Sequence, residues 1–230
     1  MKSDLEKLSK KINVKFNDPE LLQEAVTHRS YLNENRNYSL NHNERLEFLG
    51  DAVLELVVTE NLFVNYDNPE GELTNWRAAL VNGEMLSIIA REIGIEDFLL
   101  MSRGEQKDVG KARQYLLANA VEAIIGAIYL DQGYDVSKKF IEKYVLSKLP
   151  EIFATKSYLD PKSYFQEKAQ EFVQVTPHYE VEKEWGPDHA KEFLVAVYLG
   201  DEKIAEGKGS SKQEAQREAA KKGLEVKGWL

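Results

Sequence analysis

Two long apolar stretches interrupt an otherwise charged chain, and both carry polar groups where a purely structural helix would carry none. Residues 43–58 read NERLEFLGDAVLELVV, and residues 116–130 read LLANAVEAIIGAIYL. In the first, Leu46, Phe48, Leu49, Ala52, Val53, Leu54, Leu56 and Val57 leave little polar arc, the pattern of a helix buried on all sides. Glu44, Glu47 and Asp51 nonetheless recur at offsets of three and seven, which places all three carboxylates within about 60° of one helix face. In the second stretch the acid is Glu122, with Asn119 three residues before it on the same face. Gly50 and Gly126 lie inside these helices; each costs about 1 kcal/mol there, so both mark close backbone approach. Packed together, the two helices would bring Glu44, Glu47, Asp51, Asn119 and Glu122 to one point.

The rest of residues 1–155 also reads as helix after helix. Ser3 with Glu6 forms a capping box, Asp18 before Pro19 caps LLQEAVTH, and Thr74 starts a helix that runs to Gly94. Strand-like alternation is absent, and the polar segment ENRNYSLNHN at 34–43 delivers the chain into the acid-bearing helix. From about residue 158 the pattern changes. Asp160 and Pro161 cap the helix KSYFQEKAQEF; HYEVEKEW, EFLVAVYL and DEKIAEGKG read as strands; SKQEAQREAAKKGLEV closes as a helix. The reading is an all-α domain at 1–155 followed by a small α+β (α-β-β-β-α) domain at 156–230, with ATKSYLD as the candidate linker.

A chain of 230 residues is long enough for two such domains. The absence of cysteine removes disulfides, thiolate metal sites and cysteine nucleophiles, and His28, His42, His178 and His189 lack the spacing of zinc ligands. The charged N-terminus and the lack of any membrane-length apolar run predict a soluble cytoplasmic protein with no membrane partner. A net charge of −9 argues against nucleic acid when taken over the whole chain. Residues 158–230 hold 11 Lys/Arg against 14 Asp/Glu, yet residues 207–222 hold five against two. Placement, rather than total charge, has to carry any nucleic-acid reading.

Carboxylates about 5 Å apart repel by roughly 3 kcal/mol at an effective dielectric of 20, so buried acids need a positive partner. The ordinary explanation makes them helix-surface acids or partners of Arg45 and Arg77, but solvated faces are not built from Leu, Ile and Val. An oxygen-only donor set suits Mg²⁺, with Mn²⁺ able to substitute. Such ions activate water and stabilise the leaving oxygen in phosphodiester hydrolysis.

NERLEFLGDAVL closely resembles the signature of the ribonuclease III family, as do THRSY at 27–31, EGELTNWRAALV at 70–81 and LLANAVEAIIGAIYLDQGY at 116–134. The C-terminal module resembles the double-stranded-RNA-binding domain of bacterial members. The resemblance implies a homodimeric, Mg²⁺-dependent endoribonuclease that cuts both strands of duplex RNA, leaves 5′-phosphate and 3′-hydroxyl ends with short 3′ overhangs, and processes structured precursors such as rRNA and some mRNA. It implies catalytic roles for Asp51, Glu122 and Glu44, with Glu44 nearer the substrate, and metal binding by Glu47, Asp51, Asn119 and Glu122. Glu70 matches a further acid lining the cleft, and Phe48 an aromatic that inserts into the partner subunit. In the second domain, Gln166 and Gln170 match helix contacts to base edges and 2′-hydroxyls, His189 in the GPDH loop matches a minor-groove contact, and Lys208, Ser211 and Lys212 match the phosphate site.

The family's second acidic motif usually carries aspartate where this chain has Asn119. An amide oxygen can ligate Mg²⁺ or hold a coordinated water, but it brings no charge. Gln213 and Gln216 likewise stand where lysine is common. Two functions therefore remain open from sequence: a double-strand-specific endoribonuclease, and a non-catalytic duplex-RNA-binding protein that keeps the fold. A helical scaffold without an RNA partner leaves the acid cluster unexplained.

Overall fold

The computed structural model describes residues 2–107, 109–156, 158–187 and 190–229. The chain divides into two compact units, Met1–Tyr158 and Leu159–Leu230.

The first unit is helical. Its helices are α1 (Lys2–Ile12), α2 (Pro19–Ala25), α3 (Arg29–Glu34), α4 (Glu44–Asn65), α5 (Glu70–Val81), α6 (Gly83–Ile93), α7 (Lys111–Gln132), α8 (Tyr134–Tyr144) and α9 (Leu149–Thr155). The α4–α7 pair forms the centre, and α2, α6 and α8 pack around α7. Leu117, Ala120, Val121 and the run from Ala123 to Ile128 are buried, and each fully buried Leu or Ile contributes about 1.5–3 kcal/mol. The two glycines make the central crossing possible. A Cβ on Gly50 would lie 1.7 Å from the carbonyl oxygen of Glu122, and one on Gly126 would lie 2.2 Å from that of Leu46. No other residue fits at either place.

Helix ends follow the sequence rules with two exceptions. Asp18 caps α2 by accepting the Glu20 N–H at 3.0 Å. The single helix expected from Thr74 to Gly94 is two: α5 begins earlier, at Glu70, and the chain turns extended at Asn82 (ψ 155°). The Asn82 side chain then caps α6 by accepting the Met85 N–H at 2.9 Å, so a local capping hydrogen bond wins over helix continuation. At the N-terminus, α1 begins at Lys2 rather than after Ser3, whose side chain lies outside the described ones. Among the described residues no helix is long and apolar enough to cross a membrane.

The expectation that α4 is buried all round needs correction. Leu46, Val53, Leu54, Val57, Val58 and Leu62 are buried, but Phe48 is 82% exposed, and Ala52, Leu56, Phe63 and Val64 are also exposed. Helix α7 covers one side of α4 only. Phe48, Ala52 and Leu56, at i, i+4 and i+8, make an uncovered apolar stripe next to the acids.

The second unit comprises α10 (Pro161–Val173), β1 (His178–Trp185), β2 (Glu192–Leu199), β3 (Glu202–Gly209) and α11 (Lys212–Lys227). The sheet is antiparallel in the order β1-β2-β3, and its core gathers Phe165, Ala169, Val197, Leu199, Ile204, Ala219, Ala220 and Leu224. Asp160 caps α10 by accepting the Ser163 N–H at 3.0 Å, and Ser211 caps α11 by accepting that of Glu214 at 3.2 Å. Gly207 and Gly209 face α11 so closely that a Cβ on either would come within 2.6 Å of its backbone.

Candidate active site and nucleic-acid interface

The α4–α7 crossing sets the acids. Because Gly50 sits on the backbone of Glu122, Asp51 beside it and Glu47 one turn before it, with Asn119 and Glu122 opposite, come within electrostatic reach of one another. Burial, reinforced by Glu44 and Asp51, raises the Glu47 carboxyl, while a side-chain hydrogen bond from Asn119 works against that rise. Burial first, then Asp51 and Glu47, push Glu122 up to about 8. Glu47, Asn119 and Glu122 are half-buried, and Glu44 and Asp51 reach solvent. The cluster is thus an open rim, not the sealed pocket that the apolar helices suggested.

Its nitrogen-bearing neighbours are distributed unevenly. Glu44 has Arg29 Nη1 at 3.5 Å and His42 Nδ1 at 3.8 Å. Glu47, Asp51 and Glu122 make no ion pair among the described residues. Arg77, offered by the ordinary reading as a partner, instead pairs with Glu55 at 3.3 Å and donates to Thr59 at 2.9 Å. Glu70 is exposed in the first turn of α5 and accepts the Thr74 hydroxyl at 3.2 Å. Arg29, His28 and His42 are the residues that sequence reasoning missed, although THRSY and the His42–Asn43 pair before the acid helix were visible signals.

Three carboxylates and an amide oxygen without a basic partner have the donor chemistry for a hard divalent cation. Among the described residues no group of three His, Cys, Asp or Glu side chains is placed to hold a metal ion by itself.

In the second unit Gln166 and Gln170 are exposed one turn apart on α10. Ser211 and Lys212 stand together at the start of α11, where helix N–H groups favour an anion. Lys212 Nζ lies 5.7 Å from the centre of the Phe193 ring. Lys208 does not join them. It sits between two glycines that face α11, so strand alternation turns its side chain to the opposite sheet face, where Nζ lies 6.0 Å from the Trp185 ring centre. His189 lies outside the described residues.

An acid-lined helical unit joined to an α-β-β-β-α unit defines a nuclease that carries its own duplex-RNA-binding module. Residues 18–149 match the ribonuclease-III-like family and residues 161–227 the double-stranded RNA binding motif. The chain is 41% identical over 226 residues to ribonuclease 3 of Borreliella afzelii (strain PKo), covering 98% of this chain and 92% of that protein. Against ribonuclease 3 of Leptospira interrogans it is 42% identical over 218 residues, covering 94% and 88%. A solved ribonuclease III nuclease domain from Campylobacter jejuni aligns with a TM-score of 0.57 at 41% identity, covering 64% of this chain and 99% of that one. The chain belongs to the ribonuclease III family: it is an endoribonuclease with a double-stranded-RNA-binding domain.

Proposed function

We propose that the chain is a Mg²⁺-dependent endonuclease for duplex RNA, active as a homodimer in the cytoplasm, with Mn²⁺ able to replace Mg²⁺. The helical unit cuts and the unit from Leu159 onward binds. Its products carry 5′-phosphate and 3′-hydroxyl ends with short 3′ overhangs, and its substrates are structured precursors such as rRNA and some mRNA. The observation that carries this reading is Glu122, a half-buried acid pushed up to about 8 beside two further acids without a basic partner among the described residues.

Glu47, Asp51 and Glu122, with the amide oxygen of Asn119, would hold the divalent ion. When bound, that ion would supply water activation and stabilisation of the leaving oxygen. Asn119 orients Glu47 by hydrogen bonding, and Glu44 faces the substrate side together with Arg29. The exposed stripe of Phe48, Ala52 and Leu56 supports the homodimer, because an apolar strip beside the active acids on a single chain is a surface to be covered by another. Phe48 is its anchor, and the solved relative from Campylobacter jejuni is described as having a region involved in dimer formation. Glu70 and His189 remain proposals carried by family position alone.

The test is incubation of the purified chain with a long RNA duplex in Mg²⁺, with EDTA as control and end-mapping of the fragments. Short duplex products with 3′ overhangs are expected in Mg²⁺ alone. Intact duplex that stays bound at every Mg²⁺ concentration would establish the non-catalytic alternative instead.

A further inference from the structure

We propose that Arg29 is a substrate-positioning residue that binds an RNA phosphate at the Glu44 end of the acid stripe; the inference rests on the endonuclease reading above. It gives the THRS turn at 27–30 a task that the metal cluster does not. Thr27 is fully buried, its hydroxyl donates to the Gln23 carbonyl at 2.7 Å, and its own carbonyl accepts the Asn43 N–H at 2.9 Å. Asn43, also buried, donates its side-chain amide to the Ala25 carbonyl at 3.3 Å. On the other side the His28 N–H donates to the Leu100 carbonyl at 2.8 Å. The His28 ring nitrogen then caps α3 by accepting the Ser30 N–H at 3.3 Å. These bonds tie the turn to the residue that begins α4, and so deliver Arg29 to the first turn of the acid helix.

Stability does not explain that placement. The Arg29 side chain is 70% exposed and its nearest nitrogen stands 3.5 Å from Glu44, a pair of a kind worth about 0–1 kcal/mol. What the placement achieves is a guanidinium carried on an anchored backbone at the edge of a cluster that otherwise repels phosphate. One donor turns toward Glu44, and the exposed remainder of a five-donor fork is free to take phosphate oxygens in pairs. The other Glu44 oxygen lies 3.8 Å from His42 Nδ1, a buried nitrogen with no hydrogen-bond partner. Glu44 engages one guanidinium nitrogen at 3.5 Å, and an arriving phosphate takes the remaining donors.

The experiment compares the full chain with Arg29→Ala and Arg29→Lys, following duplex cleavage in Mg²⁺ and duplex binding in Ca²⁺ across a salt series. Arg29→Ala should lower kcat/KM about 10- to 100-fold, chiefly through KM, and flatten the salt slope of binding by roughly one unit, as for one lost phosphate contact. Arg29→Lys should restore the slope but only part of the rate, because lysine keeps the charge and loses the fork. The unfolding midpoint should not move, and Mg²⁺ affinity measured by calorimetry without RNA should hold or tighten, since a nearby cation is gone. An Arg29→Ala chain with the parent's salt slope and kcat/KM overturns the inference, and so does a loss that tracks a lowered midpoint and that lysine does not repair. If the unmodified chain itself fails to cleave, the endonuclease reading fails; if it cleaves and Arg29→Ala matches it, only the role of Arg29 does.

Discussion

In the helical unit Glu47, Asp51 and Glu122 crowd together with no basic partner among the described residues, whereas in the α-β-β-β-α unit several lysines are already engaged. Lys168 pairs with Glu171 at 2.7 Å, Lys203 with Glu182 at 2.9 Å and Glu206 at 2.6 Å, Lys162 donates to Gln216 at 2.6 Å, and Lys208 and Lys212 sit over aromatic rings. The first region stores repulsion that an external cation would relieve. The second stores little, so RNA competes for individual side chains that each contribute a small amount. Changes in the first should act as all-or-none effects, and changes in the second as increments.

The sharpest break in that contrast is Glu122→Gln. Cleavage should fall by about a thousandfold or more, while duplex binding in Ca²⁺ stays within a few-fold, because a ligand is lost from the ion and no RNA-contacting segment is touched. Joint loss of both activities in a folded chain would contradict the separation. The same variant should change the metal-free stability profile. Glu122 titrates near 8 when folded, against an ordinary value of 4.5. Over that window the folded chain holds a proton that the unfolded chain has released, so stability in EDTA should decline as pH rises toward 8. Glu122→Gln should flatten this decline, and urea titrations at pH 5 and pH 8 measure it.

Gly50→Ala attacks the crossing itself. With a Cβ at 1.7 Å from the Glu122 carbonyl, the helices must separate, at a cost of about 3 kcal/mol or more. The helical unit should melt at lower temperature while the second unit's transition stays in place; a single unshifted transition in calorimetry would refute it.

Asn119→Asp sharpens the comparison by adding one more charge to the crowded side. A charge within about 5 Å of the ion is worth roughly 1–3 kcal/mol, or tenfold to a hundredfold in affinity. Half-maximal cleavage should therefore need less Mg²⁺, and Mn²⁺ should partly rescue the unmodified chain. Superimposable Mg²⁺ curves for the two chains would show that position 119 does not tune the metal.

The smallest effect is expected from Lys212→Ala, which should weaken binding a few-fold for all duplex sequences and reduce the salt slope by roughly one unit. Lys208→Ala should change that slope less, since its side chain lies on the opposite face of the sheet from Ser211 and Lys212. Equal slopes for the two variants would show that both lysines meet phosphate.

Much of this architecture is legible before any coordinates. The offsets of Glu44, Glu47 and Asp51, the pairing of Asn119 with Glu122, the glycines at the crossing and the caps at Asp18 and Asp160 are properties of neighbours along the chain, and helix periodicity or a local hydrogen bond is enough to express them. What could not be read is which surfaces are covered. Local apolar spacing makes Phe48 and Leu54 look alike; the core buries Leu54 and leaves Phe48 in solvent. Lys208 and Lys212 are four residues apart and looked like one site, until the close seating of Gly207 and Gly209 under α11 fixed which way the strand faces. The sequence by itself determined most of the helices, the strands and the identity of the clustered acids, because those depend on covalent spacing and short-range bonding; the break at Asn82 between α5 and α6 was not among them. Tertiary structure alone decided that Arg29 belongs to the acid helix, through the bond from Asn43 to Thr27 across sixteen residues; such partnerships arise from packing between distant segments, which no local pattern encodes.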